Sequence, residues 1–412
     1  MIHLDANLAV LVPGSARAVG TGIAVSSRVG PLLAALAERT RALTVVAYDP
    51  PPASSASAVV AVEYRTDTVI DPSPGNVSLL SLGPPGTARD VVSRRRHVNR
   101  VVDEASQDWD VLLYLLVNRR AGEVHAANRC PRVAAQIGGF TPEVVLRAPM
   151  RPTRKVHAIA VALVAETAYF RIARSTGLFF ANGEELVRLY RRWVPHVQLL
   201  RSSARSAAYT HVAADRLAIE DELRLVFVGR ISAAKGIFDL IEAFDMVRAA
   251  VPRARLEVVG SGEDLAALRA EVDRSGLGES VTFHGWLSPG EALYGVLRQC
   301  DVLILPSWSE SLPKVIWEAQ AHSVLVVATA VGSVPAVFRD DHDLLLVEPG
   351  DPAAIARAVL RYRSDPDLRR RVLERGRHGA EQATVERVAL GFLSAFLDRW
   401  PDLRSPAAEV PS

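Results

Sequence analysis

Glu310 and Glu318 stand eight residues apart in the segment from Pro306 to Ala319, which reads Pro-Ser-Trp-Ser-Glu-Ser-Leu-Pro-Lys-Val-Ile-Trp-Glu-Ala. Upstream, Asp301 to Pro306 is an apolar run of strand length, and Pro313 suits the first turn of a helix, where its missing N–H costs nothing. The spacing therefore predicts one carboxylate on a strand-to-helix loop and the other inside the helix. A helix N-terminus offers unsatisfied N–H groups and a positive dipole end, so the junction is suited to a phosphate, while the carboxylates accept hydrogen bonds from hydroxyls. A second constellation lies in Gly229-Arg-Ile-Ser-Ala-Ala-Lys-Gly236, directly after the strand-like run Leu223 to Val228. Gly229 at the strand end lets a ligand approach the backbone, and Arg230 and Lys235 bring a planar fork and a point charge to one turn. That pair suits the two phosphates of a diphosphate leaving group.

These residues need a scaffold that gathers strand ends. In the C-terminal half, strand-like runs at 223–228, 256–259, 281–283, 302–305, 324–328 and 344–347 alternate with helical segments, the pattern of a parallel sheet covered on both faces. Ile237, Leu240, Ile241, Phe244 and Val247 recur at helical spacing and predict an amphipathic helix against that sheet. Further helices are expected over 352–363, 366–377 and 385–400. The N-terminal half repeats the grammar less cleanly: strands over 7–12, 42–48, 59–62, 110–116 and 132–137, a helix over 29–39, and loops over 49–57 and 71–86. The expected domains are 1–205 and 223–400, with a linker over 206–222 and a frayed tail over 401–412. Two doubly wound α/β domains facing each other across a cleft would place ligands at the carboxyl ends of their strands.

At 412 residues the chain is long enough for two domains. A net charge of +2 gives no global field for nucleic acid, and the basic stretches Arg94 to Arg96 and Arg147 to Lys155 read as solvated surface. A peripheral contact with anionic lipid or a phosphorylated acceptor is the alternative for Arg147, Arg151, Arg154 and Lys155. Cys130 and Cys300 lack metal-ligand or redox spacing, which points to a reducing, cytoplasmic compartment. The start of the chain reads as a strand, not a signal peptide, and Val156 to Ala165 reads as a buried strand or helix, with an apolar acceptor surface as the alternative, far short of the ~20 residues of a membrane span. Of the 48 Lys and Arg residues only three are Lys, at 155, 235 and 314, so a retained lysine draws the eye to Lys235.

Together these motifs resemble the retaining nucleotide-sugar glycosyltransferases of the GT-B fold, in the family 4 (group 1) class. Gly229-Arg230 with Lys235-Gly236, Val259-Gly-Ser-Gly-Glu263, Phe283-His-Gly-Trp286, Glu310 with Glu318, and Ala328-Thr-Ala-Val-Gly-Ser333 stand in the family's order over residues 223–350. The resemblance implies that Arg230 and Lys235 neutralise the donor diphosphate, helped by the amides of Ser311 and Leu312. It implies that Glu318 accepts from the ribose and Glu310 holds the donor sugar, as a positioning residue. Trp286 and Leu287 would border the base, Gly260 would belong to the donor pocket, and Gly20 and Gly22 would be the Gly-rich loop after the first strand. No metal and no further cofactor is implied: the nucleoside diphosphate sugar, UDP before GDP, is a co-substrate, and the sugar goes to a hydroxyl on a surface glycan, a lipid-linked precursor or a natural product.

The chain also departs from the family pattern. Ile137 and Gly138 stand where members often carry a histidine followed by glycine; His125 or Asn118 are the polar residues nearby. His322, Ser323 and Leu325 replace a Gly-Pro continuation, and Ala336 replaces an acidic residue. Two other functions fit the same scaffold: a nucleotide-sugar epimerase, and a donor-binding subunit without catalysis. Trp308, beside Glu310, reads equally as a stacking surface and as loop packing.

Overall fold

The computed structural model describes residues 2–26, 29–50, 68–70, 75–84, 91–115, 121–137, 152–200, 222–310 and 312–404. Two compact units emerge from the contacts: residues 1–141, 160–204 and 385–412 in the first, and 142–159 with 205–384 in the second.

The first unit is built on β1 (Leu4–Ser15), β2 (Arg17–Val19), β3 (Gly22–Val25), α1 (Gly30–Ala37), β4 (Thr40–Tyr48), β5 (Thr68–Ile70), β6 (Val77–Ser81), α2 (Val91–Ala105), β7 (Val111–Leu115), α3 (Ala121–Ala127), β8 (Val133–Ile137), α4 (Pro152–Ser175, counted in this unit from Ala160 onward), β9 (Leu178–Ala181), α5 (Glu184–Arg191) and β10 (Val197–Leu199). Seven strands form a parallel sheet in the order β10-β9-β8-β7-β1-β4-β6. Its central strands are apolar on both faces: β7 and β8 are buried at every position, as a sheet covered on two sides requires. Strand β6 lies within the segment expected to be a loop over 71–86; it is a short edge strand paired only with β4, and its Ser-flanked pattern is weak. The expected strand over 59–62 lies outside the described residues. Gly20 and Gly22 belong to the antiparallel hairpin β2–β3, which pairs with β5. A Cβ on Gly22 would lie 2.7 Å from Val69, so this glycine serves packing of the small sheet.

Two surface readings also change. Arg94 is not solvated: its half-buried guanidinium donates to Glu123 at 2.9 Å, and Tyr48 donates to the same carboxylate at 2.9 Å. Val156 and Leu163, expected to be buried, are exposed at 69% and 51%, because the 24-residue helix α4 turns part of its circumference to solvent.

The second unit holds β11 (Arg224–Val228), α6 (Ile237–Ala250), β12 (Arg255–Val259), α7 (Leu265–Arg274), β13 (Val281–Gly285), α8 (Glu291–Leu297), β14 (Val302–Leu305), α9 (Val315–Ala321), β15 (Leu325–Thr329), α10 (Val334–Val337), β16 (Leu345–Val347), α11 (Pro352–Ser364) and α12 (Pro366–Gln382). All six strands are parallel, in the order β13-β12-β11-β14-β15-β16, so strand order reverses between β11 and β14. The predicted face of α6 is the buried one, with Ile237, Leu240, Ile241, Phe244 and Val247 all inaccessible. Helices α11 and α12 start where the sequence says they should: Pro at the first turn, and Asp351 and Asp365 accepting from the amides of Ala354 and Leu368.

Helix α13 (Val385–Arg399) corrects the expected domain limits. Its apolar face, Val388, Ala389, Phe392, Leu393 and Phe396, enters the core of the first unit, where the rings of Phe392 and Phe180 meet edge to face at 4.9 Å. The second unit therefore ends near 384, not at 400. Residues 401–404 are also ordered: Leu403 is buried, and Arg404 bridges to Leu4.

The carboxyl edge of the second sheet is drawn together by backbone contact. Gly236, at φ +66°, faces the carbonyl oxygen of Pro306, and a Cβ there would lie 1.9 Å from that oxygen. Gly260, at φ +144°, lies as close to Gly229: a Cβ would meet its carbonyl oxygen at 1.8 Å. Hydrogen bonds stitch the same loops. Gly229 donates to Val259, Gly260 to Gly285, Ile231 to Ser261 and Trp308 to Ala234, and Asp264 accepts from the amide of Ala233 at 2.7 Å.

Because both glycines combine a disfavoured φ with backbone contact, Gly236→Ala and Gly260→Ala are each expected to destabilise the second unit by about 2–4 kcal/mol. Phe392→Ala should destabilise the first unit by about 3–5 kcal/mol. Denaturant unfolding followed by hydrogen exchange assigns each loss to its unit; a loss from Phe392→Ala in peptides of the second unit would contradict the placement of α13.

Candidate functional site

Arg230 and Lys235 follow β11, and Glu310 follows β14, so all three stand at the carboxyl ends of the two strands between which the order reverses. In doubly wound sheets that crevice is where ligands bind, since the loops on either side diverge to opposite faces. Lys235 closes a short 3-10 turn, Ala233–Lys235, directly before α6. Its Nζ lies 2.6 Å from Glu310 Oε1. Ser307 Oγ donates to that same oxygen at 2.9 Å. Ser307 is itself held: it is 1% exposed, and its carbonyl accepts from Thr329 Oγ1 at 2.6 Å, at the end of β15. Glu310 keeps 14% of its side chain exposed and Lys235 26%, so the pair is semi-buried yet open to a ligand.

Arg230 is exposed, and among the described residues no ion pair or hydrogen bond of its side chain is found. It is a cation left available beside a satisfied one. Glu318 sits on α9, 5% exposed. Trp286 and Leu287 follow β13, half-buried, and Gly260 follows β12, so the expected base and pocket residues line the same edge. Leu312 is buried, whereas Ser311 lies outside the described residues.

The helix carrying Glu318 starts later than its sequence suggests. Pro313 precedes it, its carbonyl accepting from Ile316 at 3.3 Å, and α9 runs only seven residues from Val315. So short a helix has a small macrodipole. Arg230, with no ion pair among the described residues, is the uncompensated cation at this edge.

Trp308 is 42% exposed but fastened on two sides. Its backbone amide donates to Ala234, and its ring rests on Gly350, where a Cβ would lie 2.5 Å from Cη2. Burial raises the pKa of Asp239, the nearby Trp308 side chain opposes the rise, and the charge of Glu242 adds to it. The packing role of Trp308 is thus visible, and its exposed face remains.

In the first unit, Ile137 is fully buried at the end of β8, and Gly138 and Asn118 lie outside the described residues. His125 sits on α3 between Ser175 Oγ, 3.0 Å from Nε2, and the hydroxyl of Tyr114, 3.5 Å from Nδ1. Burial lowers its pKa, so it is neutral near pH 7 and held by structural partners. Ser307 and Thr329 are the site residues that sequence reasoning missed. Only the Ser-Trp-Ser run before Glu310 hinted at the first. Among the described residues no group of three or more His, Cys, Asp or Glu could hold a metal ion, and no helix is long and apolar enough to cross a membrane.

Residues 212–379 match the family model for glycosyl transferases group 1. Similar curated proteins include a D-inositol 3-phosphate glycosyltransferase of Streptomyces coelicolor, 37% identical over 158 residues, covering 36% of this chain and 34% of the relative. One of the same description from Stackebrandtia nassauensis is 33% identical over 237 residues, covering 53% and 52%. The chain thus spans about a third to a half of the length of these relatives. Among solved structures, sucrose-phosphate synthase from Thermosynechococcus elongatus superposes with a TM-score of 0.71 at 19% identity, covering 96% of this chain and 99% of that one. Anabaena HepE in complex with UDP-glucose gives 0.66 at 15% identity, covering 95% and 99%. The reversal point flanked by Arg230, Lys235 and Glu310 lies inside the segment that matches this family model, and the chain has the GT-B fold of two Rossmann-like units.

Proposed function

We propose that this chain is a metal-independent, retaining glycosyltransferase that moves a sugar from a nucleoside diphosphate sugar, UDP before GDP, to a hydroxyl acceptor. The observation that carries this reading is the cation pair Arg230 and Lys235 at the same strand-order reversal as the half-buried Glu310. Arg230 and Lys235 bind the diphosphate and stabilise the charge that develops on it as the bond to the sugar breaks. Glu310 accepts from hydroxyls of the sugar and fixes the ring, and Glu318 accepts from the ribose. The anomeric carbon loses its bond to the diphosphate oxygen and gains one to the acceptor oxygen on the same face. The acceptor proton passes to the departing diphosphate, so no protein base is needed, in keeping with Ile137 standing where the family often has a histidine. HepE was crystallised with UDP-glucose, which supports UDP as the first base to try. Cys130 and Cys300 are both buried and not joined in a disulfide, in keeping with a reducing cytoplasm.

Arg230→Ala and Lys235→Ala are each expected to weaken UDP binding about tenfold or more, the size of a lost charge-assisted contact. Titration calorimetry measures this directly, and unchanged affinity in both variants would sink the phosphate assignment. With a UDP-sugar and a hydroxyl acceptor, transfer should persist in excess chelator, and NMR of the product should show the donor's anomeric configuration. Abolition by chelator would remove the metal-free mechanism. An isomerised sugar from donor alone would mark an epimerase instead.

A further inference from the structure

Glu310 Oε1 is claimed twice: by Lys235 Nζ at 2.6 Å and by Ser307 Oγ at 2.9 Å. The two claims differ in kind. Ser307 is 1% exposed and fastened through Thr329, so its hydroxyl stays where it is. Lys235 is a flexible four-carbon stem, 26% exposed, and it stands with Arg230 at the strand-order reversal where a phosphate would be held. A diphosphate and Glu310 therefore compete for one lysine.

Resting on the donor-site reading above, we propose that the Lys235–Glu310 pair is a latch that the donor must exchange, and that Ser307 is the positioning residue that keeps Glu310 aimed once the lysine has left. A diphosphate carries more negative charge than a carboxylate and draws the ammonium away. Glu310, semi-buried, then loses its cation, a costly state unless new donors arrive. Hydroxyls of the donor sugar supply them. The nucleoside diphosphate left after transfer cannot, so Glu310 recovers Lys235 and the spent nucleotide is released. The latch makes the site discriminate a sugar-loaded donor from its own product.

A double-mutant cycle read by UDP binding tests this, because UDP is the product without the sugar. Glu310→Gln keeps an acceptor for Ser307 but frees Lys235, so it should bind UDP about fivefold to tenfold more tightly than the wild type. Its product inhibition by UDP should tighten in parallel. In the Lys235→Met background the same Glu310→Gln change should alter UDP affinity by less than about twofold, since there is no latch left to open. Unaltered or weaker UDP binding by Glu310→Gln overturns the latch. Equal tightening in both backgrounds also overturns it, because that is through-space repulsion between Glu310 and the diphosphate.

Ser307→Ala should leave the dissociation constant for UDP within about twofold while raising KM for the sugar donor about tenfold. Ser307→Thr, which keeps the hydroxyl, should restore KM. Equal losses for UDP and donor would make Ser307 a structural residue only. If the wild type binds no UDP, the donor-site reading itself has failed; if it binds UDP and Glu310→Gln gains nothing, only the latch has failed.

Discussion

The site depends on how closely the loops at the carboxyl edge of the second sheet approach one another. Pro306 leaves no room for a Cβ at residue 236, and Gly229 leaves none at residue 260. Both glycines occupy backbone conformations that side-chain-bearing residues rarely adopt. This contact brings the turn carrying Lys235 to the loop carrying Glu310 and allows a 2.6 Å ion pair between residues 75 positions apart in the chain. Without it the two charges would belong to separate loops.

Electrostatics then follow from topology. Strand order reverses between β11 and β14, so the loops after them border the crevice where a ligand enters. The seven-residue helix α9 adds little dipole, Lys235 is paired with Glu310, and Arg230 is the cation without an ion pair among the described residues. The carboxylate of Glu310 is held between the Lys235 ammonium and the Ser307 hydroxyl.

Much of the second unit could be read from its residues because its signals are local. The apolar spacing of Ile237, Leu240, Ile241, Phe244 and Val247 announces the buried face of α6, and the Asp-Pro pairs at 351 and 365 announce the starts of α11 and α12. The residues at the strand ends, Arg230, Lys235 and Glu310, are legible for the same reason, since each follows an apolar run of strand length. Signals were weaker where a residue's meaning lies with a distant partner. Arg94 reads as one of three surface arginines until Glu123 and Tyr48 are seen beside it. Strand β6 is short and sits at a sheet edge, where little apolar pattern is demanded. Gly20 and Gly22 read as the family's Gly-rich loop only through the resemblance, and the partner that approaches Gly22 is β5.

By itself the sequence determined the parallel α/β class, the placing of charged residues at strand ends and the family resemblance, because these rest on periodicity and on residue types within a few positions of each other. Tertiary structure alone decided three things. Helix α13 shows an apolar stripe whose destination no local pattern encodes, and it buries Phe392 against Phe180 in the first unit. Ser307 acquires its role only when pairing of β14 with β15 brings Thr329 to its carbonyl. Lys235 and Glu310, each legible as a charge at a strand end, become a pair with each other only when the glycine contacts close the edge, because an ion pair is a property of distance and not of residue type.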